Sequence, residues 1–320
     1  LMAASIIIMF LDELIQKGWG LGSGISLFIM AGVAQQILWS MFSPLPAGDG
    51  GMIGIIPYLI ESLTGSGDLG NVLFRSNQLP SIFGLFLTAG ILLILVFTQG
   101  MKIEIPIVST KYRGFQAVYP IKLMYVSNIP VILASALTAN AVFVFQMIWS
   151  NFNPRNNNFF VNFIAQFDPT SPSTPIGGII YYVTPPRGLD VAALDPMRAV
   201  GYVLFMIGIV VVFGRLWVEL GGLSPKSAAQ NLLDADVQIP GFRRSNKPVE
   251  ALLNKYIPSV TIIGSMILGL LAGVSDVLGV FGSGIGILLM VDILINYYTQ
   301  LVREQVEVVM PRLGALLGRK

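Results

Sequence analysis

Apolar runs long enough to cross a bilayer alternate with polar or Gly- and Pro-rich segments throughout the 320 residues. About 20 apolar residues suffice for one crossing. The chain opens inside an apolar run, LMAASIIIMF, with no basic segment before it and no small-residue cleavage site after it. That run reads as the tail of a helix begun upstream rather than as a signal peptide, and the chain as a fragment. Lys17 and Asp49 then bracket 31 uncharged residues. The Gly-rich turn GWGLGSG leads there into a helix predicted to start near Ser23 or Gly24. Residues 43–79 are rich in Gly, Pro, Ser and Asp. They include a short amphipathic piece, MIGIIPYLIESL, expected to lie along the membrane interface.

Ser81–Met101 is a second charge-free span. A polar loop, residues 102–122, precedes the stretch Tyr119–Asn140, which runs from a basic approach through Asn128-Ile129-Pro130 into a long helix. Leu123 to Pro154 carries no charge at all. Residues 150–196 are Pro-rich and read as an extramembrane loop, with a re-entrant piece around IGGIIYYV. A span over Ala199–Gly214, extended by LWVEL, comes next. A second large polar loop, residues 221–255, leads to last spans at Tyr256–Ser275 and Val277–Val291. The pattern predicts an all-α polytopic membrane protein of about six transmembrane helices plus the end of a preceding one.

Composition agrees, with 54% hydrophobic and 11% charged residues against about 25% charged in soluble domains. Fifteen of the nineteen Lys and Arg residues fall on one set of alternating loops and ends. The positive-inside rule makes that set cytosolic, together with the C-terminus. The chain has no Cys and no His. This argues against disulfides, thiolate nucleophiles, Cys/His zinc sites and His-based dyads, so neither an enzyme nor a cofactor is predicted.

Several polar residues inside the spans stand out, among them Ser135, Thr138 and Asn140, and Gln35 and Gln36. A buried amide in hydrocarbon needs a partner, and Asn140 lies just over two turns beyond Ile132. Pro130 fits the first turn of its helix, where its missing N–H costs nothing. Asp292 is an intramembrane acid, or one facing a water-filled funnel. GLLAG at 269–273 is a GxxxG pattern for close helix approach. Ile25 and Ile29, four apart, share one helix face.

The strings LDELIQKGWGLGSGISLFI, YPIKLMYVSNIPVILASALTAN, WVE followed by GLSPKS, PGFRRS and GSGIGILLMV together resemble the SecY family, in its archaeal and eukaryotic branch. That family is the channel-forming subunit of the Sec protein translocase, with ten helices in two inverted halves around a pore. The resemblance implies that residues 1–49 hold the end of one helix and the next full helix of the N-terminal half. Residues 50–320 would then be the C-terminal half with five membrane helices. The remaining N-terminal half of the protein would be a partner outside this chain.

The resemblance further implies a pore ring of Ile25, Ile29, Ile132 and Leu289, and a lateral-gate position at Asn140. It also implies ribosome docking through Lys111 and Arg113 on one basic loop and Arg243, Arg244 and Lys247 on the other. Expected partners are small SecE/gamma and beta-type subunits, the ribosome, signal sequences, nascent polypeptides and membrane lipids. The expected location is an archaeal cell membrane, with the endoplasmic reticulum membrane as the other choice. The competing reading is a secondary transporter, which also uses inverted repeats. It calls for charged midmembrane sites, of which Asp292 is the one clear instance. An intramembrane hydrolase lacks suitably placed paired aspartates.

Overall fold

A computed structural model describes residues 2–18, 23–47, 51–64, 72–75, 79–109, 116–171, 174–234, 237–238 and 246–309. The chain begins with helices α1 (Met2–Gly18), α2 (Gly24–Phe42), α3 (Ile55–Leu63) and α4 (Ile82–Gly100). Strands β1 (Lys102–Ser109) and β2 (Gln116–Lys122) follow, then α5 (Ile129–Phe152) and α6 (Phe159–Ile164). Next come β3 (Gln166–Phe167), β4 (Pro175–Gly177), α7 (Ile179–Val183), α8 (Leu189–Leu194) and α9 (Pro196–Leu220). The last elements are α10 (Pro225–Asp234), β5 (Val237–Gln238), α11 (Asn246–Leu278) and α12 (Gly284–Val309). Among the described residues, six helices are long and apolar enough to cross a membrane: α2, α4, α5, α9, α11 and α12. The chain is a mostly helical, multi-pass membrane protein.

One compact unit comprises residues 1–75, 79–83 and 281–320, so it holds α1, α2, α3 and α12. Gly24 lets α1 approach α2; a Cβ there would lie 2.8 Å from Ile15 Cδ1. The helices α2 and α12 pack antiparallel, with Gly286 against Val33 at one end and the Tyr297 hydroxyl donating to the Ser23 carbonyl at the other. The amphipathic piece contains a helix, α3, burying Ile55, Tyr58 and Ser62. Arg75 lies 3.9 Å over the Tyr58 ring and donates to the Met52 and Ile53 carbonyls.

The other unit, residues 76–78 and 84–280, is built on α9 packed against α11 and α5. The GLLAG glycines do sit at a close crossing. A Cβ on Gly269 would fall 2.8 Å from Ile207 Cα, and one on Gly273 would fall 3.3 Å from Val203 Cα. The Tyr202 hydroxyl joins the same two helices by donating to Asp276 at 2.9 Å.

Asp276 is therefore inside α11, and the expected break between the last two spans moves. The turn lies at 279–283, where Gly279, Gly282 and Ser283 have φ of 67°, 81° and 63°. Left-handed backbone of this kind ends a helix readily at glycine. An acid partnered by a tyrosine on a packed neighbouring helix does not end one.

The two large polar loops also depart from the expectation. Residues 102–122 form an antiparallel hairpin, with Lys102 opposite Lys122 and Val108 opposite Gln116. Tyr119–Lys122 is thus strand rather than helix or loop, and α5 begins only at Ile129 with Pro130 in its first turn, as predicted. The second loop adds β5 to the same sheet through the pairs Val108–Gln238 and Ser109–Val237. The buried core beneath this sheet joins Ile105, Ile121, Val126, Val218, Leu232 and Leu253. A soluble-type hydrophobic core therefore roots both loops at the end of the helices.

Candidate functional site

The predicted pore-ring positions of the first unit sit on α2 and α12. Asp12 on α1 fixes the start of α2, for its carboxylate accepts from the Ile25 N–H at 3.0 Å and from the Ser23 hydroxyl at 3.1 Å. The first turn of a helix has N–H groups without intrahelical acceptors, and a carboxylate there also complements the helix dipole. The opposite wall of that turn is held by Tyr297 of α12.

Between the Gly286–Val33 and Tyr297–Ser23 contacts the antiparallel register can be counted. Leu289 is three residues beyond Gly286, and Met30 is three before Val33, each about 4.5 Å along its helix. Leu289 is therefore level with the turn that carries Ile29. The packed face of α2 includes Ser26, Met30, Val33 and Ile37, whereas Ile25 and Ile29 lie off it.

Ile132 and Asn140 belong to the other unit, on α5. That helix buries Val131, Ala134 and Trp149; Ile132, Ala136 and Asn140 run along its uncovered side at i, i+4, i+8. Ile25, Ile29 and Ile132 are 40–42% exposed, and Leu289 is half-buried. The Asn140 amide donates to the Ala136 carbonyl at 2.8 Å. That bond runs one turn back along its own helix, not across a seam.

The start of α5 is wedged by small residues. A Cβ on Gly264 would meet the Leu123 carbonyl oxygen at 2.3 Å, and one on Gly214 would lie 3.9 Å from Pro130 Cγ. Pro130 is buried at this junction. Asp292 is half-buried on α12, one turn beyond Leu289.

Of the predicted docking residues, Lys247 stands exposed in the first turn of α11. Lys111, Arg113, Arg243 and Arg244 lie outside the described residues. Lys111 follows Ser109 by two residues and Arg243 follows Gln238 by five. The pairing of β1 with β5 thus ties the roots of both basic segments to one sheet. Tyr125 strengthens the tie, its hydroxyl donating to the Leu223 carbonyl at 3.0 Å.

Reading the sequence missed Asp12, Tyr297 and Tyr125. The one available signal was Asp12 itself, an acid close to the end of an apolar helix and shortly before a Gly-Ser turn.

Residues 1–298 match the SecY family. The chain is 40% identical over 323 residues to protein translocase subunit SecY of Pyrococcus furiosus, an alignment covering 98% of this chain and 66% of that protein. The corresponding subunit of Pyrococcus horikoshii is 41% identical over 321 residues, covering 97% and 66%. A solved structure described as a protein-conducting channel superposes with a TM-score of 0.73 at 35% identity, over 95% of this chain and 63% of its own. Sec61 in a canine ribosome–channel complex from the endoplasmic reticulum gives 0.70 at 33% identity, over 95% and 63%. The chain spans 66% of the length of the curated relatives it matches, and it belongs to the SecY family.

Proposed function

We infer that this chain supplies pore wall, one face of a lateral gate and a ribosome-docking surface to a channel that passes unfolded polypeptides across a membrane. The observation that carries this reading is the level register of Ile29 and Leu289 on two packed helices, in a chain of the SecY family. Uncharged aliphatic side chains at one depth make a constriction that dewets when empty and deforms around a passing chain. Ile25, one turn from Ile29, and Ile132 on α5 complete the proposed ring.

Asn140 belongs to the proposed gate, through which apolar segments leave for the lipid. A lone interhelical amide bond in a membrane averages about 0.6 kcal/mol, weak enough for a seam that opens. Residues 1–49 are assigned to one half of the channel and 50–320 to the other. The role is conduction rather than catalysis, so a partner must drive it. The ribosome, small SecE/gamma and beta-type subunits, and nascent chains are the proposed partners. An archaeal cell membrane is the proposed location, with basic loops and C-terminus in the cytosol. A small-solute transporter gains no support from the family.

A photo-crosslinker at Ile132, Ile29 or Leu289 should capture a stalled translocating chain in the assembled complex. Capture of lipid alone at all three positions refutes the ring. Charge reversal at Arg243 and Arg244 should weaken ribosome binding, most at low salt, because each phosphate contact releases counterions. Unchanged binding would leave those arginines with a topological role only.

A further inference from the structure

The segment 152–164, at the end of α5 remote from the three-stranded sheet, is built inside out. Asn153 is buried and Asn156 and Asn162 are half-buried, so three of its asparagines turn inward. Asn153 donates to Asn162 Oδ1 at 2.7 Å, while Asn162 donates to the Asn156 carbonyl at 2.7 Å. Asn156 accepts from the Trp149 indole at 2.6 Å and donates to the Phe167 carbonyl at 3.1 Å. Asn153 Oδ1 accepts the Asn158 N–H, and Asn158 Oδ1 accepts the Phe160 N–H. Meanwhile Phe152, Phe159, Phe160 and Phe163 point outward, 65–80% exposed. In water the opposite arrangement is favoured, because exposed aromatic surface costs free energy and amides are well solvated.

We propose that this segment lies in the outer interfacial layer of the bilayer, with phospholipid as the occupant of its phenylalanine surface. Three observations favour lipid over a protein partner or water. The exposed apolar flank of α5, through Phe143, Val144, Met147 and Ile148, leads to Phe152, and beyond the turn Phe159, Phe160 and Phe163 are exposed on α6. The membrane-facing side of the span is thus continued by the loop. The side chains of Asn153, Asn156, Asn158 and Asn162 are bonded within the fold, as hydrocarbon requires and water does not. Arg155, exposed in the turn between α5 and α6, is placed as a cation that reaches lipid phosphate while aromatic neighbours enter the acyl boundary. A segment expected from its polar composition to be an extramembrane loop therefore anchors the outer end of α5. Nothing in this inference depends on conduction through the pore.

The chain has no cysteine, so single nitroxide labels can be attached at Phe160→Cys, Phe163→Cys and, for comparison, Pro169→Cys. All three sites are exposed. In the full chain reconstituted into liposomes of phosphatidylcholine and phosphatidylglycerol, labels at 160 and 163 should collide with oxygen several-fold more often than with a water-soluble nickel chelate. The label at 169 should show the reverse. Labels at 160 and 163 that behave like 169 would make the segment an aqueous loop. Labels shielded from both agents would mean a protein surface covers it. Either result overturns the proposal. Crosslinking at Ile132 can fail while these labels still report lipid, so this test and that of the channel are separable.

Discussion

The Asp12 carboxylate accepts the backbone N–H of Ile25 at 3.0 Å, so an acid on one helix sets where the next helix starts. Asp12→Ala should cost about 0.5–2 kcal/mol, the range for loss of an N-terminal cap, and Asp12→Asn should cost less. Thermal unfolding of the detergent-solubilised chain checks the order. Equal stability of all three forms would show that the Ser23 side chain alone caps α2.

Two glycines, one on α11 at its crossing with α9 and one on an open face of α9, invite a direct contrast. A Cβ on Gly269 would press on the Ile207 backbone at 2.8 Å, whereas one on Gly208 would meet nothing within 4 Å. Gly269→Ala should destabilise by about 1–3 kcal/mol. Gly208→Ala should be neutral or stabilising by up to about 1 kcal/mol, since Ala is the better helix former. Graded unfolding in SDS measures both, and equal effects would contradict the packing described.

Tyr125 provides a pH dependence outside the membrane. Burial, and then the neighbouring Tyr119 phenol, push its hydroxyl from 10.0 up to about 12. The folded value is above the unfolded one, so the neutral phenol stabilises the fold fully below pH 10. That contribution is lost as pH rises through about 12. The Tm difference between the chain and Tyr125→Phe should accordingly shrink across this window. A constant difference would mean that the phenol titrates alike in both states.

For Asn140 stability and function should separate. Its amide donates within its own helix and its side chain is exposed, so Asn140→Ala should shift unfolding by no more than about 0.5 kcal/mol. Partition of marginally hydrophobic segments between lipid and translocation should nevertheless change. A large loss of stability would make Asn140 a packing residue instead.

Hydropathy made the spans visible because burial in lipid is a property of each run of about 20 residues, whatever the rest of the chain does. The start of α2 near Ser23, the amphipathic character of MIGIIPYLIESL and Pro130 in a first turn were readable for the same reason. They are set by neighbours within a few residues. The break before the last span was misplaced because Asp276 looks like an end until Tyr202, 74 positions away, is seen to bond it.

The pairing of Ser109 with Val237, the level of Leu289 beside Ile29, and the inward turn of Asn153, Asn156 and Asn162 were equally hidden. Each depends on which surfaces meet, not on local composition. Strand pairing and side-chain hydrogen bonds join residues brought together only when helices pack, and a polar string such as NPRNNN has the same composition whether its amides face water or one another. The membrane-spanning elements were thus decided by local chemistry along the chain. The registers and partners that give those elements a site were decided by packing.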